Sequence, residues 1–208
     1  VLDTSEGNSS PVSALLRGIL MTLVLASSSP RRRELLSTLV AQFDIRSPEI
    51  DEIPHQGESP VDYVLRIATQ KASKHLASER INLGVDTTVV LEGQIIGKPS
   101  DVDEARWILS RLSGRTHTVY TAVALARSAG VDTLLSATKV TLTQLSQSAI
   151  DAYLLSDEPW DKAGAYGIQG YAGAFVERIE GSYSGVVGLP LCETRTLLHK
   201  SGIELKHG

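Results

Sequence analysis

Apolar positions fall into two periods along this chain, and the switches between them mark its elements. Thr22 to Ala26 is a short apolar run that reads as a buried strand. Ser27, Ser28, Ser29 and Pro30 follow. A serine before a proline is a good helix N-cap, and proline suits the first helical position. The spacing predicts a helix over 31–40 with Leu35, Leu36 and Leu39 on one face. Residues 43–46 form a weak strand, and 47–52 an acidic loop. Ser59-Pro60 opens a second helix, expected to reach about Ser78, with Val61, Val64, Leu65, Ala68, Ala72 and Leu76 facing inward. At about 100° per residue, Lys71 falls inside that apolar arc, whereas Arg66 and Lys74 fall outside it.

Residues 83–91 read as a strand, with Glu92-Gly93 as a tight hairpin turn and 94–96 returning. Ser100 is expected to cap a helix whose inward face is Ala105, Ile108, Leu109 and Leu112. Two alternating runs, 116–126 and 134–142, are separated by Ser128-Ala129-Gly130 and read as an antiparallel pair. Ser146 caps a short helix to Leu155. Between 156 and 173, Gly164, Gly167, Gly170 and Gly173 recur every third residue. Four are too few for a repeat fold, but they let backbone approach a ligand or turn sharply. A final strand over 175–179 and a helix over 190–200 complete a single α/β domain from residue 21. Residues 1–20 are expected to be a disordered extension. They do not read as a signal peptide, because acids precede the apolar run and Arg17 interrupts it.

Composition narrows the function classes. Apolar residues make up 42% of the 208 positions and charged residues 21%, as in ordinary globular proteins. The net charge is −4, so no global positive field draws nucleic acid, and phosphate binding must come from local cations. One cysteine, Cys192, excludes an intrachain disulfide and suits a cytoplasmic location. No apolar run has the roughly 18 residues that a membrane helix needs.

Three features carry candidate chemistry. Arg31, Arg32 and Arg33 crowd a helix start, where cations oppose the helix dipole; the turn is either solvated or holds an anion. Asp86 interrupts an apolar strand. It is either bonded to backbone amides, or paired or metal-binding, because a lone buried carboxylate is costly. Lys71 either snorkels or meets an anion. Glu49, Asp51 and Glu52 add carboxylates, and the five histidines show no ligand spacing, so a hard cation such as Mg²⁺ or Mn²⁺ suits the inventory and zinc does not. Local cations, carboxylates and a metal are the parts phosphoryl chemistry requires. No P-loop and no Gly-x-Ser-x-Gly elbow is present.

Several motifs in order resemble the Maf family of nucleotide pyrophosphatases: Ser27-Ser28-Ser29-Pro30-Arg31-Arg32, Ile50-Asp51-Glu52, Gln70-Lys71-Ala72, Gly84-Val85-Asp86-Thr87, Gly97-Lys98-Pro99 and Leu112-Ser113-Gly114. The resemblance spans about residues 22–200. It implies a twisted mixed sheet flanked by helices, with two lobes and a central cleft, similar to the inosine triphosphate pyrophosphatases. It implies hydrolysis of a nucleoside triphosphate to monophosphate and pyrophosphate, and a homodimer. By the same carry-over, Asp86 is the catalytic carboxylate and Glu52 helps it hold a divalent metal. Ser27, Arg32, Lys71 and Lys98 contact the phosphates. The segment 157–170 looks like the branch acting on dTTP and UTP, in which Arg31, Thr87 and Gln169 govern base choice. A Gln amide offers both a donor and an acceptor to a uracil or thymine edge. Two other readings stand beside this one: the same reaction on 7-methyl-GTP or another modified or purine nucleotide, and a non-catalytic nucleotide-binding regulator of cell division.

Overall fold

The computed structural model describes residues 21–207; the extension expected over 1–20 lies outside them. Strand β1 (Thr22–Ala26) and helix α1 (Pro30–Leu39) come first, then β2 (Asp44–Ile45) and α2 (Pro60–Ser73). Strand β3 (Arg80–Leu91), β4 (Gln94–Ile96) and α3 (Val102–Leu112) follow. The hairpin β5 (Thr116–Arg127) and β6 (Gly130–Leu142) leads to α4 (Gln147–Leu154), β7 (Val176–Glu180), α5 (Tyr183–Val187) and α6 (Leu191–Lys200). Two short 3-10 turns, Ala163–Ala165 and Tyr171–Phe175, lie in the glycine-rich stretch.

The seven strands form one mixed sheet in the order β2-β1-β3-β5-β6-β7, with β4 also on β3. Strands β2, β1 and β3 run parallel, and β3, β5, β6 and β7 run antiparallel to their neighbours. One edge of β3 is shared. Strand β1 pairs with Arg80 to Gly84, and β4 pairs with Val89 to Leu91. Residues 85–88 have no strand partner on that edge. The opening therefore lies beyond the carboxyl end of β1, where an open α/β sheet places its ligand.

The sheet's two faces are built differently. On one, α2 packs on Ala122, Ala124 and Ala126 of β5. It lies close to β3 because Gly84 has no side chain: a Cβ there would collide with the Ala68 carbonyl oxygen and the Ala72 nitrogen. The other face carries two apolar clusters. Val85, Val123 and Leu125 pack with Leu36, Leu197 and Leu198. Val89, Val119 and Leu142 pack with Ile108, Leu109 and Tyr153. Between them runs a polar row, Thr87, Thr121 and Ser136, in register across β3, β5 and β6. Helix α5 covers this row: Thr121 Oγ1 donates to the Gly185 carbonyl at 2.8 Å, and the Ser182 N–H donates to Thr138 Oγ1 at 3.0 Å. That row separates the two apolar clusters of this face.

Several boundaries differ from expectation. Helix α2 ends at Ser73 rather than near Ser78, because the buried Asn82 amide donates to the Ala72 and Lys74 carbonyls and terminates it. Asp101, not Ser100, caps α3 by accepting the Glu104 N–H at 2.8 Å, while Ser100 bonds the Glu104 carboxylate. Strand β3 starts three residues earlier and β6 four residues earlier than their apolar runs, carried by ladder pairing with β1 and β5. The turn Glu92-Gly93 has positive φ at both residues (52° and 79°), the type I′ pattern that suits a two-residue hairpin. Helix α5 was not foreseen.

Candidate active site

The unpaired edge of β3 opens into a cleft of about 420 Å³. Ser27, Arg31, Arg32, Glu52, Lys71, Asp86, Thr87, Lys98 and Gln169 all line it. Alternation along β3 sends Asp86 and Thr87 to opposite faces of the sheet, so the cleft wraps around the strand edge and each face contributes its own group.

On the α2 face, Lys71 is buried, and its Nζ donates to Asp86 Oδ1 at 2.8 Å. The same ammonium lies 2.9 Å from Glu52 Oε1, so two carboxylates from different segments converge on one cation. The choice between snorkelling and pairing is resolved in favour of pairing. Burial pushes the Asp86 carboxyl above the ordinary carboxylate range; the charges of Lys71 and then Arg32 pull it back in part. Glu52 sits on the exposed loop after β2, which is tethered to α2 at two points. Tyr63 Oη donates to the Glu52 carbonyl at 3.0 Å, and Arg66 forks onto Glu58 at 2.6 and 2.7 Å. That fork holds the Glu58 carboxyl down at about 2.

On the other face, Arg32 spends all three nitrogens on fixed acceptors. Its Nε donates to the Gly188 carbonyl at 3.0 Å, Nη1 to Ser27 Oγ at 3.2 Å and Nη2 to Thr87 Oγ1 at 3.3 Å. The turn itself is pinned by Ser29, which accepts the Arg32 N–H as N-cap of α1, and by Ser27 Oγ, which accepts the Ser29 N–H. Burial lowers the Arg32 pKa, and Asp86 and Glu52 offset this; a guanidinium stays charged all the same. Arg31 points across the cleft mouth and pairs with Asp161 at 2.8 Å. Lys98 follows β4 on the far side of the opening, and the Gly97 carbonyl beside it accepts the Gly164 N–H. Arg33 is exposed.

Sequence reasoning missed several lining groups. Asp161 and Lys162 fall within the segment 157–170 that resembles the dTTP and UTP branch, but nothing in the sequence assigns them a role of their own. Gly188 acts through its backbone carbonyl, for which a sequence offers no signal. Tyr166 lines the cleft with its hydroxyl 2.7 Å from His117 Nε2.

Among the described residues no group of three or more His, Cys, Asp or Glu side chains is arranged as a metal cage. Two convergent carboxylates nevertheless fit Mg²⁺ or Mn²⁺, which are held by one or two carboxylates together with water and phosphate oxygens. They do not fit a structural zinc.

Comparison with known proteins identifies the family. Residues 22–201 match the model of the family described as Maf-like protein. A protein of Shewanella sp. (strain MR-7) named dTTP/UTP pyrophosphatase is 54% identical over 193 residues, covering 88% of this chain and 100% of the relative. Proteins of the same name from Hahella chejuensis and Myxococcus xanthus are 50% and 51% identical, each covering 88% of this chain and 94% of the relative. The family match spans nearly all of the described residues, and the chain belongs to the Maf family.

Proposed function

We propose that the cleft hydrolyses the α–β phosphoanhydride of dTTP and UTP, releasing the nucleoside monophosphate and pyrophosphate. The observation that carries this reading is the Lys71 ammonium, held by Asp86 and Glu52, facing the Ser27–Arg32 turn across the open edge of β3. The name shared by the relatives supports the choice of substrate.

In this reading Ser27, Arg32, Lys71 and Lys98 hold the phosphate oxygens and offset their charge. Asp86 takes the proton of the attacking water as its oxygen bonds to phosphorus and the bridging oxygen departs with the pyrophosphate. Asp86 and Glu52 would hold a divalent cation, which when bound supplies charge neutralisation at the phosphates. Gln169 meets the uracil or thymine edge, and Arg31 and Thr87, which line the same cleft, take part in base choice. No helix among the described residues is long and apolar enough to cross a membrane.

A nucleotide panel with pyrophosphate detection tests this, run with Mg²⁺, with Mn²⁺ and with chelator. Metal-dependent release from dTTP and UTP is expected. A preference for 7-methyl-GTP would overturn the substrate, and binding without product in a single turnover would overturn the reaction.

A further inference from the structure

Two of the every-third glycines of 164–173, Gly167 and Gly170, line the cleft on either side of Gln169 and are also closely packed from behind. Gln169 sits in a tight turn closed by the Gly170 N–H donating to the Gly167 carbonyl at 3.1 Å. Both ends of this turn lie against the Glu158 carboxylate, the first end together with Lys162. A Cβ on Gly170 would collide with Glu158 Oε2, and one on Gly167 would meet the Lys162 side chain at 2.7 Å and then Glu158 Oε1 at 3.1 Å. Gly170 has an ordinary negative φ of −103°, so its glycine is needed for space rather than for conformation. The Glu158 carboxylate also accepts the Tyr171 N–H at 2.8 Å, the Ala172 N–H at 3.2 Å and the Tyr153 hydroxyl at 3.0 Å. The Tyr153 hydroxyl in turn accepts the Gly167 N–H at 3.3 Å. Glu158 thus fixes the turn at its start, through Tyr153, and just past its end, through two amides.

We propose that Glu158 is a positioning residue for base selection: it holds the 167–170 turn so that the Gln169 amide meets the pyrimidine edge. The inference rests on the pyrophosphatase reading above, and it deepens that reading by naming what orients the selector. A carboxylate suits the task because it alone accepts three donors at once without supplying any. Charge-assisted bonds to backbone amides are also stronger than neutral ones.

The test compares Glu158→Ala and Glu158→Gln with the wild type on UTP and CTP, together with amide hydrogen exchange. In Glu158→Ala, UTP-over-CTP discrimination in kcat/KM is expected to fall about tenfold or more, mainly through KM for UTP. Exchange at Tyr171 and Ala172 should accelerate while β3 and β5 keep their protection. Glu158→Gln keeps one acceptor oxygen and should recover part of both; it also serves if the alanine variant does not fold. Equal losses on both substrates would overturn the proposal, as would unchanged exchange at 171–172. A wild type that hydrolyses no nucleotide would sink the pyrophosphatase reading instead, and the exchange data would still decide whether Glu158 holds the turn.

Discussion

Lys71 Nζ lies 2.8 Å from Asp86 Oδ1, and both side chains are buried. The pair joins a helix to the strand beneath it, where the absent side chain of Gly84 lets the α2 backbone pack directly on β3. A buried ion pair is weak support for a fold, since desolvation offsets much of its attraction. Here it also leaves a carboxylate and an ammonium facing a cleft, which is better explained by chemistry than by stability.

Asp86→Asn separates those two explanations. Activity should fall by about 10²-fold or more, as expected when a general base is lost. Stability should move the other way. Burial raises the folded-state pKa of Asp86 above its ordinary 3.8, so the folded state binds the proton more tightly than the unfolded one. Stability then declines as pH rises from 3.8 through the folded pKa, and the cost is fully present above it. Asparagine removes it, and Glu52 still pairs with Lys71 at 2.9 Å. We expect the neutral-pH Tm to hold or rise by about 2–4 °C, with the gain shrinking toward pH 4. A fall in Tm beyond about 4 °C would mean that the ionised carboxylate stabilises the fold.

Gly84→Ala tests how the pair is assembled. The added Cβ meets backbone atoms of Ala68 and Ala72, which cannot rotate away. Helix α2 must lift from β3 and carry Lys71 with it. Overpacking of this kind costs about 1–3 kcal/mol or more, and kcat should fall together with urea stability. Wild-type activity in a stable Gly84→Ala protein would show that the close approach is not what places Lys71.

The parts of this site that were legible beforehand are local ones. Helical arithmetic put Lys71 inward, and Asp86 stood out as a carboxylate in an apolar strand. The serine–proline turn announced the start of α1. What joins them was not legible, because it depends on pairing between distant segments. The open edge at 85–88 exists only because β1 and β4 each cover part of β3. The Thr87–Thr121–Ser136 row reads as three unrelated polar residues until the register is known. The same limit applies to the end of α2, where a side chain from β3 competes for the helix's last carbonyls. Helix α5 is five residues with a glycine at its centre, too short for a periodic signal.

Arg32→Lys should behave as a loss, not as a conservative change. Three acceptors at different angles, the Gly188 carbonyl, Ser27 Oγ and Thr87 Oγ1, match a planar fork and not a single ammonium. We expect kcat/KM to drop about 100-fold in Arg32→Lys, close to the drop in Arg32→Ala. Retention of activity within about threefold would reduce Arg32 to a point charge.

His117 gives the fold an acid limit that is independent of the cleft carboxylates. It is buried beside Tyr166 with one hydrogen bond, and its Nδ1 has no partner among the described residues. Burial lowers its pKa from 6.5 to about 4. Between those values the unfolded chain binds the proton and the folded one does not. The stabilisation from a neutral imidazole is therefore complete above pH 6.5 and is lost as pH falls toward 4, by about 3 kcal/mol at most. Glutamine at 117 cannot take up a proton in this range and can still bond Tyr166. Urea unfolding at pH 7.5 and pH 4.5 should thus show a smaller pH-dependent loss in His117→Gln than in the wild type. An equal loss in both proteins would place the acid limit elsewhere, with the site carboxylates as the next candidates.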